Sequence, residues 1–333
     1  MRKLIPASLL LAFSLAATSA LAAPSGTVFT ANERGNSISQ ITLADGSVTT
    51  IPLEISPHNV QVSADGKRLL AVGMNIHAGH HDSGQSAGEL QVFDLPLGSK
   101  PSFVLPVAGH PGHVVTDRDS KLAFVTDAGN NAVQVYDLAS KSQLASIKTG
   151  TYPHGLRLSP DGSILYVANV KSDSVSVIDV PNLKETGRIA VGNAPVQVGF
   201  SADGKQAYVS LSAENALGLI DTASRKLTGK VKVGRNPIQM YATPDGSKVF
   251  VANQGNSKQP DDRVSVVDPA AGKAIAEVKT GPGAHGVAIS SDGQYVFVSN
   301  IEAGSVSVID SRQHRVVSTY QVGAGPNGIS YRD

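Results

Sequence analysis

Short hydrophobic stretches alternate with polar turns along almost the whole chain. Within residues 153–192 four stretches follow one another, GLRLS, ILYVAN, SVSVID and GRIAVG, and apolar and polar positions alternate in the third. A period of two is typical of β-strands that bury one face. Asp161-Gly162 between the first two stretches favours a tight turn, because glycine tolerates positive φ. The segment therefore predicts four short strands.

The same unit recurs seven times. The position of Val167 in YVAN has counterparts at Thr30, Ala71, Val125, Val209, Val251 and Val298, with separations of 41, 54, 42, 42, 42 and 47 residues. Four strands in each repeat of about 40 to 45 residues is typical of a β-propeller blade. We therefore predict an all-β fold, a single seven-bladed β-propeller of four-stranded blades over residues 23–333.

The ends of the chain predict how the ring closes. Residues 27–32 match the second strand of the repeat, whereas residues 328–333 match a first strand. The C-terminal strand is expected to pair with the N-terminal blade, which leaves no open sheet edge. The recurring aspartates of the Asp-Gly turns, and those that end the third strands, are interpreted as turn-forming residues rather than catalytic carboxylates.

The first 22 residues have the pattern of a secretory signal peptide. Arg2 and Lys3 precede an apolar stretch that ends in Ala20-Leu21-Ala22. A positive start, a short apolar run and an A-x-A site are the parts of such a peptide. We predict that residues 1–22 are removed on export and that the protein is periplasmic in a Gram-negative host.

Composition narrows the classes of function. The net charge is +1, so the chain lacks the basic field that nucleic-acid binding requires. Cys 0 and Trp 0 exclude disulfides, thiolate nucleophiles, Cys-ligated metals and tryptophan stacking platforms. No segment after the signal peptide is long and apolar enough for a membrane span. We expect a monomer without a membrane span that does not bind nucleic acid, with any metal held by nitrogen and oxygen.

The repeats also carry a family resemblance. Residues 166–169 (YVAN), 250–253 (FVAN) and 297–300 (FVSN), with the PHG, PDG and VSVID frame, resemble the YVTN family of β-propeller repeat proteins. The resemblance covers residues 24–333. It implies an architecture similar to surface-layer proteins, the haem-binding propeller of nitrite reductases, bacterial lactonases and periplasmic metal-carrier propellers. Because one fold serves several functions, the site itself must decide among them.

Eight of the nine histidines map to one face of the predicted ring. The loop before the first strand of the repeat carries His58, His154 and His285 at equivalent positions, with His110 and His113 beside that position in another blade. Around the ring Asn327 is also polar at this position, whereas Val196 and Ile238 are apolar. Neighbouring imidazoles on one side of a channel suit zinc or another divalent transition metal. A histidine that merely fills its loop is the alternative at each position.

An insertion in the second repeat adds further candidate ligands. His77, His80, His81 and Asp82 lie in a small-residue loop between the second and third strands, outside the repeating unit. Such a loop could collect metal and pass it to, or cap, a cluster of His58, His113 and His154. The alternative is a solvated insertion. The longer loop at residues 253–262 carries Asp261 and Asp262 and is interpreted as solvated.

The sequence thus predicts a periplasmic, non-catalytic binding protein with a His-rich face for zinc or another divalent metal. By resemblance to metal-carrier propellers it would be a metallochaperone that serves a periplasmic transport or metal-receiving protein. The main alternative is a metal-independent scaffold for a protein or peptide. A noncovalent haem-binding propeller and a lactonase-type enzyme stay open as further alternatives, although no nucleophile-elbow motif such as G-x-S-x-G is present.

Overall fold

The protein is described by a computed structural model for residues 23–77 and 88–333. The predicted signal peptide, His80, His81 and Asp82 lie outside the described residues. Seven four-stranded antiparallel sheets are arranged as the blades of a β-propeller, which confirms the predicted fold class. In the described part of the chain, no helix is both long and apolar enough to cross a membrane.

Each blade has an innermost strand beside the central channel and a second strand next to it. The innermost strands of blades 1 to 7 are β28 (Pro326–Arg332), β4 (Ile55–Val62), β8 (Pro111–Thr116), β12 (Pro153–Leu158), β16 (Pro195–Phe200), β20 (Pro237–Ala242) and β24 (Ala284–Ile289). The second strands are β1 (Thr27–Asn32), β5 (Arg68–Asn75), β9 (Leu122–Asp127), β13 (Ile164–Asn169), β17 (Gln206–Leu211), β21 (Val249–Asn256) and β25 (Tyr295–Asn300). All seven positions equivalent to Val167 lie in second strands, as the repeat predicts.

The third and fourth strands complete each sheet towards the rim. The third strands are β2 (Ser37–Thr42), β6 (Gly88–Asp94), β10 (Ala132–Asp137), β14 (Ser174–Asp179), β18 (Ala216–Asp221), β22 (Gln259–Asp268) and β26 (Ser305–Asp310). The fourth strands are β3 (Ser47–Pro52), β7 (Phe103–Val107), β11 (Ser142–Lys148), β15 (Lys184–Ala190), β19 (Lys226–Lys232), β23 (Lys273–Lys279) and β27 (Arg315–Gln321). The outer strands are mostly exposed, so the hydrophobic core lies between blades.

The ring closes as the chain ends predict. β28, from the C-terminus, pairs antiparallel with β1, with Val28 opposite Tyr331 and Thr30 opposite Ile329. Blade 1 is therefore built from both ends of the chain. Its inner edge is covered, since the pairing satisfies backbone groups that an open edge would expose.

Turn aspartates have the structural role expected of them. Gly162 has φ 77°, and the Asp161 carboxylate accepts hydrogen bonds from Ser159 Oγ and the Ser163 backbone N–H. In five blades the aspartate that ends the third strand accepts a backbone N–H two or three residues later, which starts the next turn: Asp137, Asp179, Asp221, Asp268 and Asp310. These carboxylates fix turns on one face of the ring, which we call the bottom face.

Adjacent blades pack face to face through large apolar side chains. Tyr166 of blade 4 and Phe200 of blade 5 have ring centroids 4.8 Å apart, in a cluster that mixes residues of both blades. Burial of this kind contributes about 25 cal/mol per Å² of apolar surface. Because every interface is built from equivalent strand positions, the blades hold the channel walls in a fixed geometry.

The inner strands begin earlier than the sequence pattern indicates. In blade 4 the strand starts at Pro153 rather than Gly155, so His154 belongs to β12 and not to the preceding loop. The β12–β13 ladder shifts register between Pro153 and Leu156, which places His154 in a β-bulge. Bulges re-aim side chains and recur at this position in other blades. This end of the inner strands defines the top face.

Candidate metal centre

Three imidazoles from three inner strands converge at the top end of the channel. His58 lies on β4, His113 on β8 and His154 on β12, and one nitrogen from each lies within 4.8 Å of the others. Ring centroids are separated by 5.6 Å for His58 and His113, 5.2 Å for His58 and His154, and 4.7 Å for His113 and His154. These residues belong to three consecutive blades. We call them the imidazole cluster.

A carboxylate orients the His58 ring. His58 Nδ1 lies 3.2 Å from both Glu33 Oε1 and Asn327 Nδ2. Because the carboxylate can only accept, whereas Asn327 Nδ2 already donates to Glu33, we assign the ring proton to Nδ1. Asn327 donates from Nδ2 to Glu33 Oε2 at 2.6 Å, which fixes the carboxylate in turn. A histidine with a carboxylate behind it is the usual arrangement of metal-ligating imidazoles. The free Nε2 of His58 then faces the cluster.

Two hydrogen bonds orient His154, and one of them also assigns its ring proton to Nδ1. His154 Nδ1 lies 3.1 Å from the Val196 carbonyl oxygen, which again can only accept a hydrogen bond. The His154 carbonyl accepts a hydrogen bond of 2.7 Å from Thr126 Oγ1 of the neighbouring blade. This hydrogen bond fixes the backbone at His154, which lies in the bulge outside the regular β12–β13 pairing. The His154 Nε2 lone pair also faces the cluster.

The two free nitrogens point at each other. His58 Nε2 and His154 Nε2 are 3.1 Å apart, and both rings carry their proton on Nδ1. Two facing lone pairs repel unless a cation lies between or beside them. Tetrahedral zinc with Zn–N bonds of about 2.0–2.1 Å places its ligand nitrogens about 3.3 Å apart. The observed separation therefore fits two imidazoles that share a metal ion, and a shared proton is the alternative.

The third imidazole, His113, has a buried ring nitrogen without a hydrogen-bond partner among the described residues. This nitrogen is Nε2, and His113 is 2 % exposed. A buried polar atom left unpaired costs about 1–3 kcal/mol. Its backbone N–H is anchored by Thr126 Oγ1 at 2.8 Å. One ring nitrogen of His113 also lies within 4.8 Å of the ligand nitrogens of His58 and His154, so the donor set fits a divalent transition metal.

Burial keeps His113 and His154 neutral, which is the form of an imidazole that binds metal. Desolvation, with the neighbouring His154 and His58, holds the pKa of His113 well below its usual range. Desolvation followed by the charge of His58 lowers the pKa of His154 to about 3. For Glu33, burial alone would raise the pKa, but the hydrogen bond from His58 and its charge lower it to about 2. The carboxylate is therefore ionised at neutral pH.

The other predicted ligands lie apart from the imidazole cluster. His285 is 5 % exposed on β24 and donates a hydrogen bond to the main chain of Asn327. The His110 side chain is exposed, while its backbone N–H donates to Asp127 Oδ1 at 3.1 Å. His77 is exposed and pairs with Glu54 through Nε2 and Oε2 at 2.5 Å. Val196 and Ile238 are buried and line the apolar side, as predicted.

The predicted solvated loop at residues 253–262 is ordered by a buried charge. Asp261 lies in β22 with 1 % of its side chain exposed and accepts hydrogen bonds from Arg263 Nε at 2.9 Å and Nη2 at 3.0 Å. The Arg235 backbone N–H donates to the same carboxylate at 3.2 Å. Desolvation would raise the pKa of Asp261, but the Arg263 guanidinium lowers it. The ion pair therefore stabilises the hairpin between β21 and β22.

Sequence reasoning missed two residues that orient the rings. Glu33 lies three residues after Thr30. The equivalent positions of the six other blades all carry uncharged residues, namely Met74, Ala128, Val170, Ser212, Gln254 and Ile301. A carboxylate at this position departs from the repeat, and this departure could have identified Glu33 as a functional residue. Thr126 could not be recognised in the same way, because the equivalent residues Ser210 and Ser299 of other blades also donate a hydrogen bond to the neighbouring blade.

Because His285 is buried in its neutral form, the free energy of unfolding is expected to fall as the pH is lowered. Burial, with the charge of His58, lowers the pKa of His285 to about 4, against about 6.5 in an unfolded chain. Glu33 and Arg34 are the other charges that act on this ring. Above pH 6.5 the ring is neutral in both states and has no effect. Below that pH the unfolded chain takes up a proton that the folded chain does not, so stability falls down to about pH 4.

The metal-free protein should therefore lose about 2 kcal/mol of unfolding free energy between pH 7.5 and pH 5 through this one ring. Urea unfolding at the two pH values measures the loss. His285→Gln removes the titrating group and should reduce the difference by this amount. His110→Gln, at an exposed histidine, is the matched control. Equal pH slopes for His285→Gln and the original protein would contradict the prediction.

The comparisons with known proteins agree with the fold. A family model described as YNCE-like beta-propeller matches residues 85–247 and 230–333. Among curated proteins, no significant match was found. Hydrazine synthase of Kuenenia stuttgartiensis is similar in structure, with a TM-score of 0.70 and 20% sequence identity, over 82% of this chain and 89% of that chain.

A protein of unknown function from Desulfotomaculum acetoxidans DSM 771 is also similar, with a TM-score of 0.76 and 16% identity, over 92% of this chain and 99% of that chain. At these identities the two solved structures support the fold alone. The family model, in contrast, covers well over half of the sequence. The chain is therefore a member of the YNCE-like β-propeller family.

Proposed function

We propose that the protein binds a divalent transition metal, zinc foremost, with His58, His113 and His154 as ligands. The observation that carries the proposal is the 3.1 Å separation of His58 Nε2 and His154 Nε2, with both Nδ1 atoms bonded to acceptors. Imidazole nitrogens suit zinc, copper, nickel and iron. Zinc is favoured because three nitrogens can form three corners of its tetrahedron, with the fourth position left for water or another ligand.

A binding role is favoured over catalysis because the oriented groups all act on the imidazoles. Glu33 and Asn327 fix His58, and Val196 and Thr126 fix His154. The His58 side chain is 18% exposed, which gives the site a route to solvent at the top face. We propose that the protein is exported to the periplasm and there carries metal to a transport or metal-receiving protein. The loop with His77, His80, His81 and Asp82 would collect metal or cap the site.

Zinc titration with metal analysis tests this function. We expect one zinc ion per chain, bound more tightly than about 1 µM, because ligand nitrogens of three imidazoles already lie within 4.8 Å of one another. A variant with His58, His113 and His154 all replaced by alanine should lose this site. A variant with His77, His80 and His81 replaced by alanine should keep it. Micromolar or weaker binding by the unaltered protein would reject the metal function and favour a metal-independent scaffold.

A further inference from the structure

A second concavity lies at the bottom face, at the opposite end of the inner strands from the imidazole cluster. It has a volume of about 250 Å³ and lies between the inner strands and Asp-Gly turns of blades 4, 5 and 6. Arg157, Phe200, Met240 and Tyr241 are among its lining residues. Pro160, Ala202 and Pro244 are exposed at its edge, so it opens to solvent.

Arg157 is a cation without an acidic partner. It lies on β12, three residues after His154, which is about 10 Å further along the channel. Its Nη1 donates to Gln61 Oε1 of blade 2 at 3.2 Å, and its guanidinium lies 5.3 Å from the centre of the Tyr241 ring. Five other arginines form ion pairs with carboxylates within the described residues, but Arg157 does not. A guanidinium has five N–H donors, so most of its capacity is available.

The rest of the wall is mainly apolar. Leu158, Phe200 and Met240 supply aliphatic, aromatic and thioether surface, and Tyr241 is 40% exposed. An exposed aromatic ring on an inner strand offers contact surface to a ligand beside the Arg157 guanidinium. A pocket with apolar walls and one fixed charge selects ligands that combine both characters. Inorganic anions would leave the apolar wall unused, and hydrocarbons would leave the guanidinium unpaired.

The geometry points to a binding site for small carboxylic acids with an aromatic or aliphatic body. The carboxylate pairs with the Arg157 guanidinium, whose planar fork matches two carboxylate oxygens. The body packs against Phe200, Met240 and Tyr241. The volume limits the ligand to about the size of a phenylpropanoate or a medium-chain fatty acid. This site is independent of metal binding at the top face.

Methionine methyl groups provide a direct probe. The chain has three methionines, of which Met240 lines the pocket and Met74 lies on β5 in blade 2. With ¹³C-methyl methionine in the full chain, 3-phenylpropanoate and octanoate should shift the Met240 signal in a saturable way and leave Met74 unchanged. The neutral 3-phenylpropanamide should bind roughly ten- to a hundredfold more weakly, since a hydrogen bond to a charged group is lost.

Three variants distinguish the contribution of the Arg157 charge to binding from that of the apolar wall. Arg157→Gln should weaken binding of the acids roughly ten- to a hundredfold, and Arg157→Lys should give an intermediate loss because the fork is absent. Gly199→Val narrows the pocket, since a Cβ at Gly199 meets only Met240 Sδ, at 3.6 Å, and should weaken binding with Arg157 intact. Arg118→Gln, at an exposed arginine outside the pocket, is the control. Circular dichroism establishes that each variant is folded.

The proposal is overturned if neither acid shifts Met240, if the amide binds as tightly as the acid, or if Arg118→Gln weakens binding as much as Arg157→Gln. Inorganic phosphate that binds as tightly as 3-phenylpropanoate would also overturn it, because the apolar wall would then contribute nothing. Zinc titration of Arg157→Gln distinguishes the two sites. If this variant loses binding of the acids but keeps binding of zinc, the loss is confined to the pocket at the bottom face.

Discussion

Replacing His113 with alanine is expected to lower the affinity for zinc by a factor of roughly 100 or more. Loss of a residue that merely orients a ligand already costs about 10- to 100-fold, and His113 would be a ligand itself. The Nε2 atom of His113 is buried and unpaired within the described chain. Removing the ring therefore takes away a candidate metal ligand without breaking a hydrogen bond of Nε2. The metal-free variant should therefore fold, and its gain in unfolding free energy with zinc is compared with its own metal-free stability.

Thermal or urea unfolding with and without zinc measures this effect. At a zinc concentration 100-fold above the dissociation constant, the original protein should gain about 2.7 kcal/mol of unfolding free energy. A variant with 100-fold weaker binding should gain only about 0.4 kcal/mol. His110→Ala is the matched control, since this exposed histidine lies three residues away and outside the imidazole cluster. Equal stabilisation of His113→Ala and His110→Ala by zinc would contradict the assignment.

Replacing Glu33 with glutamine is expected to weaken zinc binding about 10- to 100-fold without removing any ligand. The carboxylate only accepts, and so it holds the proton of His58 on Nδ1 and leaves Nε2 free. An amide can donate instead, which allows the proton to move to Nε2 and blocks that nitrogen as a ligand. The Glu33 carboxylate also supplies the negative charge behind the ring, and glutamine removes it.

Glu54→Gln is a matched control because Glu54 also pairs with a histidine, His77, but in an exposed position. Isothermal titration with zinc should show a tenfold or larger loss for Glu33→Gln and little change for Glu54→Gln. If Glu54→Gln has the larger effect, the loop that begins at His77 is the main site. If neither variant differs from the original protein, orientation of His58 by Glu33 has no part in metal binding.

Much of the fold could be predicted because the repeat is local. The positions equivalent to Val167, the Asp-Gly turns and the SVSVID alternation depend on side chains a few residues apart, which share one strand or one turn. The pairing of β28 with β1 also follows, since a strand missing at one end is present at the other. Strand starts were less accurate, because the bulge at His154 interrupts the alternation that marks a strand.

The candidate site was predicted by residue type and face, but not by geometry. His58, His113 and His154 were predicted as a cluster among the eight histidines of the top face, but their distances and the groups that orient their rings did not follow from the pattern. In β8 the position equivalent to His154 is Gly112, and His113 follows one residue later. The bulge of this strand, between Pro111 and Val114, breaks the alternation of side-chain direction, so His113 still reaches the cluster.

The sequence by itself determined the blade number, the four strands of each blade, the closure of the ring and the face that carries the histidines. These depend on short-range periodicity and on turn chemistry. Only the tertiary structure decided that His58 and His154, 96 residues apart, meet at the channel. It also placed Glu33 and the Val196 carbonyl where they accept a hydrogen bond from the Nδ1 atoms of these rings. It likewise placed Arg157 against Gln61 and Tyr241. The physical reason is that contacts across a closed ring depend on the curvature and bulges of every blade between them, which no local pattern encodes.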